Sequence, residues 1–195
     1  MAMARTQAAD FEERREAIVE KAAELFANSG FLGASVSDIA RACNTSKSLL
    51  YHYYPSKEDV LYAVMESHID TLVDDVESLA DIQSSAQERL RILLQMFMKH
   101  YMGAAARQKV LLNELANLPA DRRALIVSKQ RRIVDAVQSL LVLIHPDLKK
   151  DKDKARAKTM LVFGMINWTK NWYRADGQVS EESLVDMMME MATAG

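Results

Sequence analysis

The 195-residue chain contains a single cysteine, Cys43. One cysteine cannot form an intrachain disulfide bond, and there is no cysteine cluster to hold zinc. Cys43 follows Ile39 and Ala40 in an amphipathic segment, so we expect a small packed residue and not a reactive thiol. The sequence predicts neither a disulfide scaffold nor a metal site, and no cofactor.

Glycine and proline are also scarce, with 6 and 3 residues. Tight turns depend on these residue types, so their scarcity argues against a fold of many short strands. The abundant residues are good helix formers: Ala, Leu, Met, Glu, Lys and Arg. No segment alternates between apolar and polar residues as a half-buried strand does. The composition therefore predicts an all-α fold.

Long apolar runs are absent too: each falls well short of the roughly 18 residues that a membrane helix needs. Residues 1–16 are polar and charged, unlike the apolar core of a signal peptide. We therefore expect a cytoplasmic protein without a membrane partner.

An overall positive charge is missing, since the formal net charge is −2. The charges are nevertheless unevenly distributed. Residues 36–57 carry Arg41, Lys47 and Lys57 against Asp38 alone, whereas residues 58–80 carry acidic side chains and no Lys or Arg. A protein that contacts DNA through one tip needs positive charge only there.

Capping signals between residues 35 and 59 predict a sequence of short helices. Ser35 with Asp38, and Ser56 with Asp59, have the spacing of capping boxes at helix starts. Gly30 and Asn44 suit the left-handed backbone that ends a helix. Similar signals predict about nine helices, at residues 10–28, 35–43, 46–53, 56–79, 86–102, 107–117, 120–143, 152–174 and 180–192.

The second and third of these helices form a pair joined by a short turn. Val36, Ile39, Ala40, Cys43 and Leu50 are spaced to pack the two together. The third helix then exposes hydroxyl, lysine, aromatic and histidine side chains, which suit phosphates and base edges in a major groove. From composition alone, a helical hairpin within a larger bundle is an equal alternative.

The stretch from Ala22-Ala23-Glu24-Leu25-Phe26 to Leu50-Tyr51-His52-Tyr53-Tyr54-Pro55-Ser56-Lys57-Glu58 resembles the DNA-binding domain of TetR-family regulators. Asn44 stands where glycine is usual, Ser48 where glycine or a small residue is common, and Tyr54 where phenylalanine is usual. The resemblance implies a three-helix DNA-binding domain at 1–55 and a ligand-binding and dimerisation domain at 56–195. Tyr54 and Phe26 are expected in the core. The implied DNA contacts are Ser35, Ser37, Ser46, Lys47, Ser48, Tyr51, His52 and Lys57.

Apolar stripes on the last two predicted helices need a covering surface, and in the TetR family these helices pair with a second subunit. The expected homodimer contacts are Leu161, Met165, Trp168, Trp172, Leu184 and Met188. The segment Phe163-Gly164-Met165-Ile166-Asn167-Trp168 resembles TetR-type repressors of fatty-acid, phenylacetate and sterol breakdown, which sense acyl-coenzyme A thioesters. The candidate ligand contacts are Met96, His100, Arg123, Arg131, Met160 and Trp168. His68, in an acidic helix, is expected at the surface.

The leading interpretation is a repressor that a small ligand, an acyl-CoA thioester, releases from a palindromic operator. A repressor of an efflux system that responds to lipophilic drugs is the nearest alternative. A DNA-binding protein without an effector and a helical acyl-thioester enzyme are the others. The sequence has no catalytic triad, P-loop, GxGxxG or HExxH motif, so we do not expect an enzyme.

Overall fold

The computed structural model of the chain describes residues 2–194, and side chains from residue 10 onward. Within this range the chain forms nine α-helices and no strand, which confirms the predicted fold class. The helices are α1 (Ala2–Gly33), α2 (Val36–Ala42), α3 (Lys47–Tyr53), α4 (Lys57–Ser78), α5 (Ala86–Gly103), α6 (Ala105–Asn113), α7 (Ala120–Ile144), α8 (Lys152–Thr169) and α9 (Glu181–Thr193). Short 3-10 turns follow α4, α6 and α7, at Leu79–Asp81, Leu115–Asn117 and Pro146–Lys150.

Local capping explains why two short helices, α2 and α3, lie between the long helices α1 and α4. Gly30 interrupts α1 with φ +72°, and Asn44 has φ +51° in the turn between α2 and α3. Ser35 caps α2 through its capping box, and Ser46 caps α3 by accepting the Leu49 amide. The predicted boundaries of α2 and α3 are confirmed.

Three helices, α1, α6 and α8, differ from the prediction at one or both ends. Helix α1 begins at Ala2, and α6 covers Ala105–Asn113 before its 3-10 turn. Helix α8 ends at Thr169, whereas the sequence predicted residue 174. Beyond that end, the Asn171 amide bonds to the Trp168 carbonyl at 3.0 Å, three residues back, so the α-helical ladder stops. Trp172 therefore lies in the connection to α9 and is not on the α8 stripe.

The chain packs into two compact units. The first contains the described residues up to Ile69 together with Ala106–Ile126. Its core is built from fully buried side chains of α1, α2, α3 and α4, among them Phe26, Ile39, Leu50 and Leu61. Tyr54 is also buried, as predicted for it and for Phe26. These contacts fix α3 by its inner face and leave its outer face to solvent.

The second unit contains Asp70–Ala105 and the described residues from Val127 onward. Here α5 packs against both α8 and α9. Phe97 on α5 meets Phe163 on α8 with ring centroids 6.4 Å apart. Among the described residues, no helix is long and apolar enough to cross a membrane.

Candidate nucleic-acid interface and C-terminal helices

Helix α3 presents an exposed polar and aromatic face. Leu50 anchors the helix in the core with no exposed surface. Lys47, Ser48, Tyr51 and His52 are all exposed, and so is the capping residue Ser46. A short helix held by one buried leucine, with hydroxyl, ammonium, phenol and imidazole groups pointing outward, has the chemistry that major-groove recognition requires.

Helix α2 packs against α3, and its start is organised by Ser35. The Ser35 hydroxyl donates to Asp38 Oδ2 at 2.5 Å and accepts from the Asp38 amide at 3.2 Å. The hydrogen bond from Ser35 lowers the pKa of the Asp38 carboxyl, which also pairs with Arg41 at 3.0 Å. The Ser35 hydroxyl is thus engaged as a helix cap. Ser37 is half-buried in the first turn of α2.

Lys57, assigned to phosphate by the family resemblance, already has partners in the chain. Its Nζ donates to the carbonyl oxygens of Phe31 at 2.8 Å and Ala34 at 3.1 Å. The same ammonium lies 4.0 Å from the centroid of the Phe31 ring. Lys57 therefore joins the start of α4 to the connection between α1 and α2.

Phe11 on α1 supports the end of α3, a role that the sequence analysis missed. Its ring lies 4.7 Å from the Tyr53 ring and 6.3 Å from the His52 ring, between centroids. Phe11 stands seven residues before the buried Ile18, a spacing that places both on one face of a helix. This seven-residue spacing is the feature of the sequence from which the packing of Phe11 could have been predicted.

Cys43 is half-buried in the turn after α2. Burial raises the pKa of its thiol, an effect that the nearby Lys21 ammonium partly opposes. A raised pKa disfavours the reactive thiolate, which agrees with a packing role for this cysteine. A groove of about 250 Å³ runs beside it, between α1 and the turn, and Leu49 and Tyr53 are part of its lining.

Helix α6 contributes polar contacts to the first unit. Arg107 bonds to the carboxylates of Glu16 and Glu20 on α1, the latter at 2.7 Å, and donates to Ser67 Oγ at 3.2 Å. His68 Nε2 donates to Gln108 Oε1 at 2.6 Å, and both side chains are buried. The expectation of a surface His68 was wrong, because a partner on α6 satisfies the ring in the interior.

Large apolar side chains are exposed on α8, on α9 and in the connection between them. Leu161 is 70% exposed, Trp168 66%, Trp172 51% and Met191 66%. Leu161, Met165 and Met191 share a groove of about 520 Å³, with Lys154 and Lys158 in its lining. Leu184 and Met188, also predicted at a dimer contact, are instead buried inside the second unit where α9 packs on α5.

The residues predicted to bind an effector lie on α5, α7 and α8. Met160 and Trp168 are exposed on α8, and Met96 is half-buried on α5. Arg123 belongs to the first unit and Arg131 to the second, and both are exposed. The six candidate residues are thus divided between the two units.

His100, the remaining candidate, is half-buried and pairs with Asp75 through Nε2 and Oδ2 at 3.0 Å. Burial raises the pKa of the Asp75 carboxyl, and His100 partly opposes the shift. Within residues 2–194 no group of His, Cys, Asp and Glu side chains is arranged to hold a metal ion.

Two family models match the chain. Residues 18–64 match the model described as bacterial regulatory proteins, tetR family. Residues 83–195 match the model of the tetracyclin repressor-like C-terminal domain.

Solved structures and curated relatives agree with these matches. A TetR-family transcriptional regulator from Bordetella parapertussis is 38% identical with a TM-score of 0.88, over 93% of this chain and 94% of that one. AibR, in complex with isovaleryl coenzyme A and operator DNA, is 29% identical with a TM-score of 0.79, over 91% and 97%. The transcriptional activator FasR of Mycolicibacterium smegmatis is 25% identical over 94% of this chain and 83% of its own length. The chain belongs to the TetR family of bacterial regulators, which are DNA-binding, ligand-responsive transcription regulators and not enzymes.

Proposed function

We propose that the exposed face of α3, with the start of α2, reads a palindromic operator. The observation that carries this proposal is the outward set Lys47, Ser48, Tyr51 and His52 on a helix anchored by Leu50. Ser35, Ser37, Ser46 and Lys57 complete the proposed surface. Residues 1–55 supply these contacts except for Lys57, and residues 56–195 supply ligand binding and dimerisation. A protein that binds an operator works where the DNA is, so the proposed location is the cytoplasm.

A duplex selected from a randomised library by the purified protein tests this surface. Lys47→Ala is expected to weaken binding to the selected duplex by about 1–3 kcal/mol and to relax base preference at one position. Lys99→Ala is the matched control, because Lys99 is an exposed lysine on α5, in the second unit. Equal mobility shifts for the two variants would place the interface elsewhere.

The proposed active form is a homodimer through α8 and the connection that follows it. Exposed leucine, methionine and tryptophan side chains of this size mark an interaction surface. A two-fold partner presents the same surface, so the apolar side chains cover one another. The symmetry also gives two recognition helices, which a palindrome needs at a spacing of ~34–36 Å.

Sedimentation of Leu161→Glu tests the dimer, with Leu143→Glu on α7 as a control of similar exposure. Leu143 is 61% exposed and lines a different groove, with Val142 and Pro146. Leu161→Glu is expected to give monomers and to lose operator binding, while Leu143→Glu keeps both. A wild-type monomer that binds the operator fully would overturn the proposal.

The proposed effector is an acyl-CoA thioester. AibR, which is 29% identical over most of both chains, supports it because its structure holds isovaleryl coenzyme A. Calorimetric titration should give heat with one of a series of short, aromatic, long-chain or steroid-derived thioesters, and much less with the free acid. No heat with the series, together with DNA release by uncharged lipophiles, would favour the efflux-type alternative.

The proposed consequence of effector binding is release from the operator and relief of repression. The AibR structure contains the thioester and operator DNA together, and FasR is an activator, so the direction of the response needs its own measurement. A mobility shift of the operator complex at increasing thioester, paired with a promoter reporter, provides it. Tighter binding with thioester would contradict release by the effector, and reporter output that falls when the gene is deleted would contradict a repressor.

A further inference from the structure

Three aromatic rings meet where α1 contacts the end of α3. Phe11 on α1 lies 4.7 Å from Tyr53 and 6.3 Å from His52 between ring centroids, and His52 lies 5.7 Å from Tyr53. Phe11 and Tyr53 are half-buried, whereas His52 is exposed. All three belong to the first unit. An exposed imidazole of the proposed DNA surface is therefore flanked by two partly buried rings.

His52 differs from the other histidines in what holds its ring. His68, His100 and His145 each bond through Nε2 to an oxygen atom of the chain. Among residues 10–194, His52 instead contacts the rings of Phe11 and Tyr53, which stand at 89° and 79° to the imidazole plane. Aromatic pairs favour such edge-to-face arrangements. Contacts of this kind orient the imidazole without using its nitrogen atoms.

Phe11 is fixed by the body of the first unit. It precedes the buried Ile18 by seven residues, on the same face of α1. Its contact with Tyr53 is the shorter of the two, and Tyr53 and Ile18 line the same groove. Helix α3 has only seven residues, and a helix of that length has little stability of its own. Phe11 therefore supplies an orientation at the end of α3 that the short helix cannot fix by itself.

The imidazole of His52 is placed to meet DNA. His52 stands one helical turn after Ser48, so the two share the outward face of α3. An imidazole N–H donates to acceptors such as guanine N7 and O6 in the major groove, or to a phosphate oxygen. A side chain that is free before binding loses conformational entropy when it makes this bond, whereas one already held in place loses less. Ordering of His52 before binding therefore strengthens the contact.

We propose that Phe11 is a positioning residue for DNA recognition, whose ring holds the His52 imidazole in the orientation that donates to a hydrogen-bond acceptor of the duplex. This role rests on the proposed DNA surface at α3. Phe11 itself touches no DNA and acts through His52. Replacing the Phe11 ring frees the imidazole and leaves its donor in place.

The duplex selected from the randomised library is the probe. Phe11→Leu keeps apolar packing against Tyr53 and removes the ring, and it is expected to bind about threefold to tenfold more weakly, the cost of ordering one free side chain. Phe11→Tyr retains the ring and is expected to bind close to wild type. Two patterns of loss support positioning: relaxed base preference at one position assigns the acceptor to a base, and an equal loss on every duplex assigns it to phosphate.

A double-mutant cycle shows whether Phe11 acts through His52. Phe11→Leu is expected to cause no further loss of binding in a His52→Ala background, because the side chain that it orients is gone. Equal losses in both backgrounds would show a structural effect independent of His52 and overturn the proposal. Unchanged binding by Phe11→Leu in the wild-type background, or by His52→Ala, would overturn it as well.

Nuclear magnetic resonance of protein labelled at its four histidines gives a readout without DNA. The His52 signal is the one that disappears in His52→Ala. Because an aromatic ring shifts the signals of nearby nuclei, Phe11→Leu should move the His52 signal, while Phe11→Tyr leaves it near its wild-type position. A His52 signal that Phe11→Leu does not move would contradict the positioning role.

Phe11→Met, with a flexible apolar side chain, replaces Phe11→Leu in each measurement if the leucine variant does not fold. Two outcomes separate this proposal from the DNA surface on which it rests. If Lys47→Ala and Lys99→Ala give equal mobility shifts, the surface is wrong and the role of Phe11 falls with it. If Lys47→Ala weakens binding and Phe11→Leu does not, the surface stands and only the role given to Phe11 fails.

Discussion

Replacing Arg107 by methionine removes the charged contact between α6 and α1. The Arg107 side chain is 15% exposed, and it bonds to Glu16, Glu20 and Ser67. Methionine fills much of the volume of the aliphatic stem, so the change removes the guanidinium and leaves most of the packing. The expected result is a less stable protein with an unchanged fold.

The solvent exposure of Glu16 and Glu20 decides how much stability Arg107→Met loses. Glu16 is 60% exposed and Glu20 is 53% exposed, so water can solvate both carboxylates once Arg107 is gone. The cost is therefore below the ~3–5 kcal/mol of breaking a fully buried pair. Two pairs at up to ~1 kcal/mol each, reduced by solvent screening, and a Ser67 bond of ~1 kcal/mol give a total near 2 kcal/mol. For a chain of this length that corresponds to a fall in Tm of roughly 4–8 °C.

Urea unfolding of the full chain measures this loss, at one protein concentration because assembly stabilises by mass action. Arg174→Met is the matched control. Arg174 pairs with Asp176 at 3.0 Å, but the two side chains are 78% and 75% exposed. The control is expected to change stability by less than ~0.5 kcal/mol. Equal losses for both variants would refute the reasoning from exposure.

Three further changes test other parts of the structure. His68→Leu is expected to cost about 1–3 kcal/mol in urea unfolding, because buried Gln108 loses a donor; a change within ~0.5 kcal/mol would contradict this. Burial raises the pKa of Asp75, so its protonated form favours folding and that contribution is lost as pH rises through the raised pKa. Asp75→Asn should therefore gain stability relative to wild type as pH rises from about 4 toward neutral, and a constant difference would count against it. Gly30→Ala should lower the free energy of unfolding by about 1–2 kcal/mol, because alanine is strained at φ +72°; a more stable variant would show that the turn can relax.

Local signals predicted the DNA-binding half well. The caps Ser35 and Ser46, and the left-handed Asn44, act within three or four residues, so the bounds of α2 and α3 could be predicted from neighbouring residues alone. The end of α8 was missed because the Trp168 stripe continues to Trp172 in sequence while the backbone turns after Thr169.

Contacts between distant residues were out of reach of such signals. The partner of His68 stands 40 residues further along the chain, and the acidic neighbours of His68 suggested solvent. The apolar face of α9 indicated burial but did not identify the covering surface; Leu184 and Met188 are buried in the second unit, where α9 packs on α5 and α8. The exposed side chains of α3 could be predicted, because their positions along the helix put them on a different face from the buried Leu50.

The discontinuity of the first unit has a consequence for synthesis of the chain. Helices α1–α4 leave the ribosome first, but the segment Ala106–Ile126 that completes their unit follows only after α5, which belongs to the other unit. Until then Glu16 and Glu20 lack Arg107, and Asp59 lacks Arg122. A nascent chain that stalls after α4 therefore presents the recognition helix on an incomplete support. The full set of contacts within the first unit therefore forms only once translation has passed the start of α7, after Asp70–Ala105 of the second unit and before the rest of it.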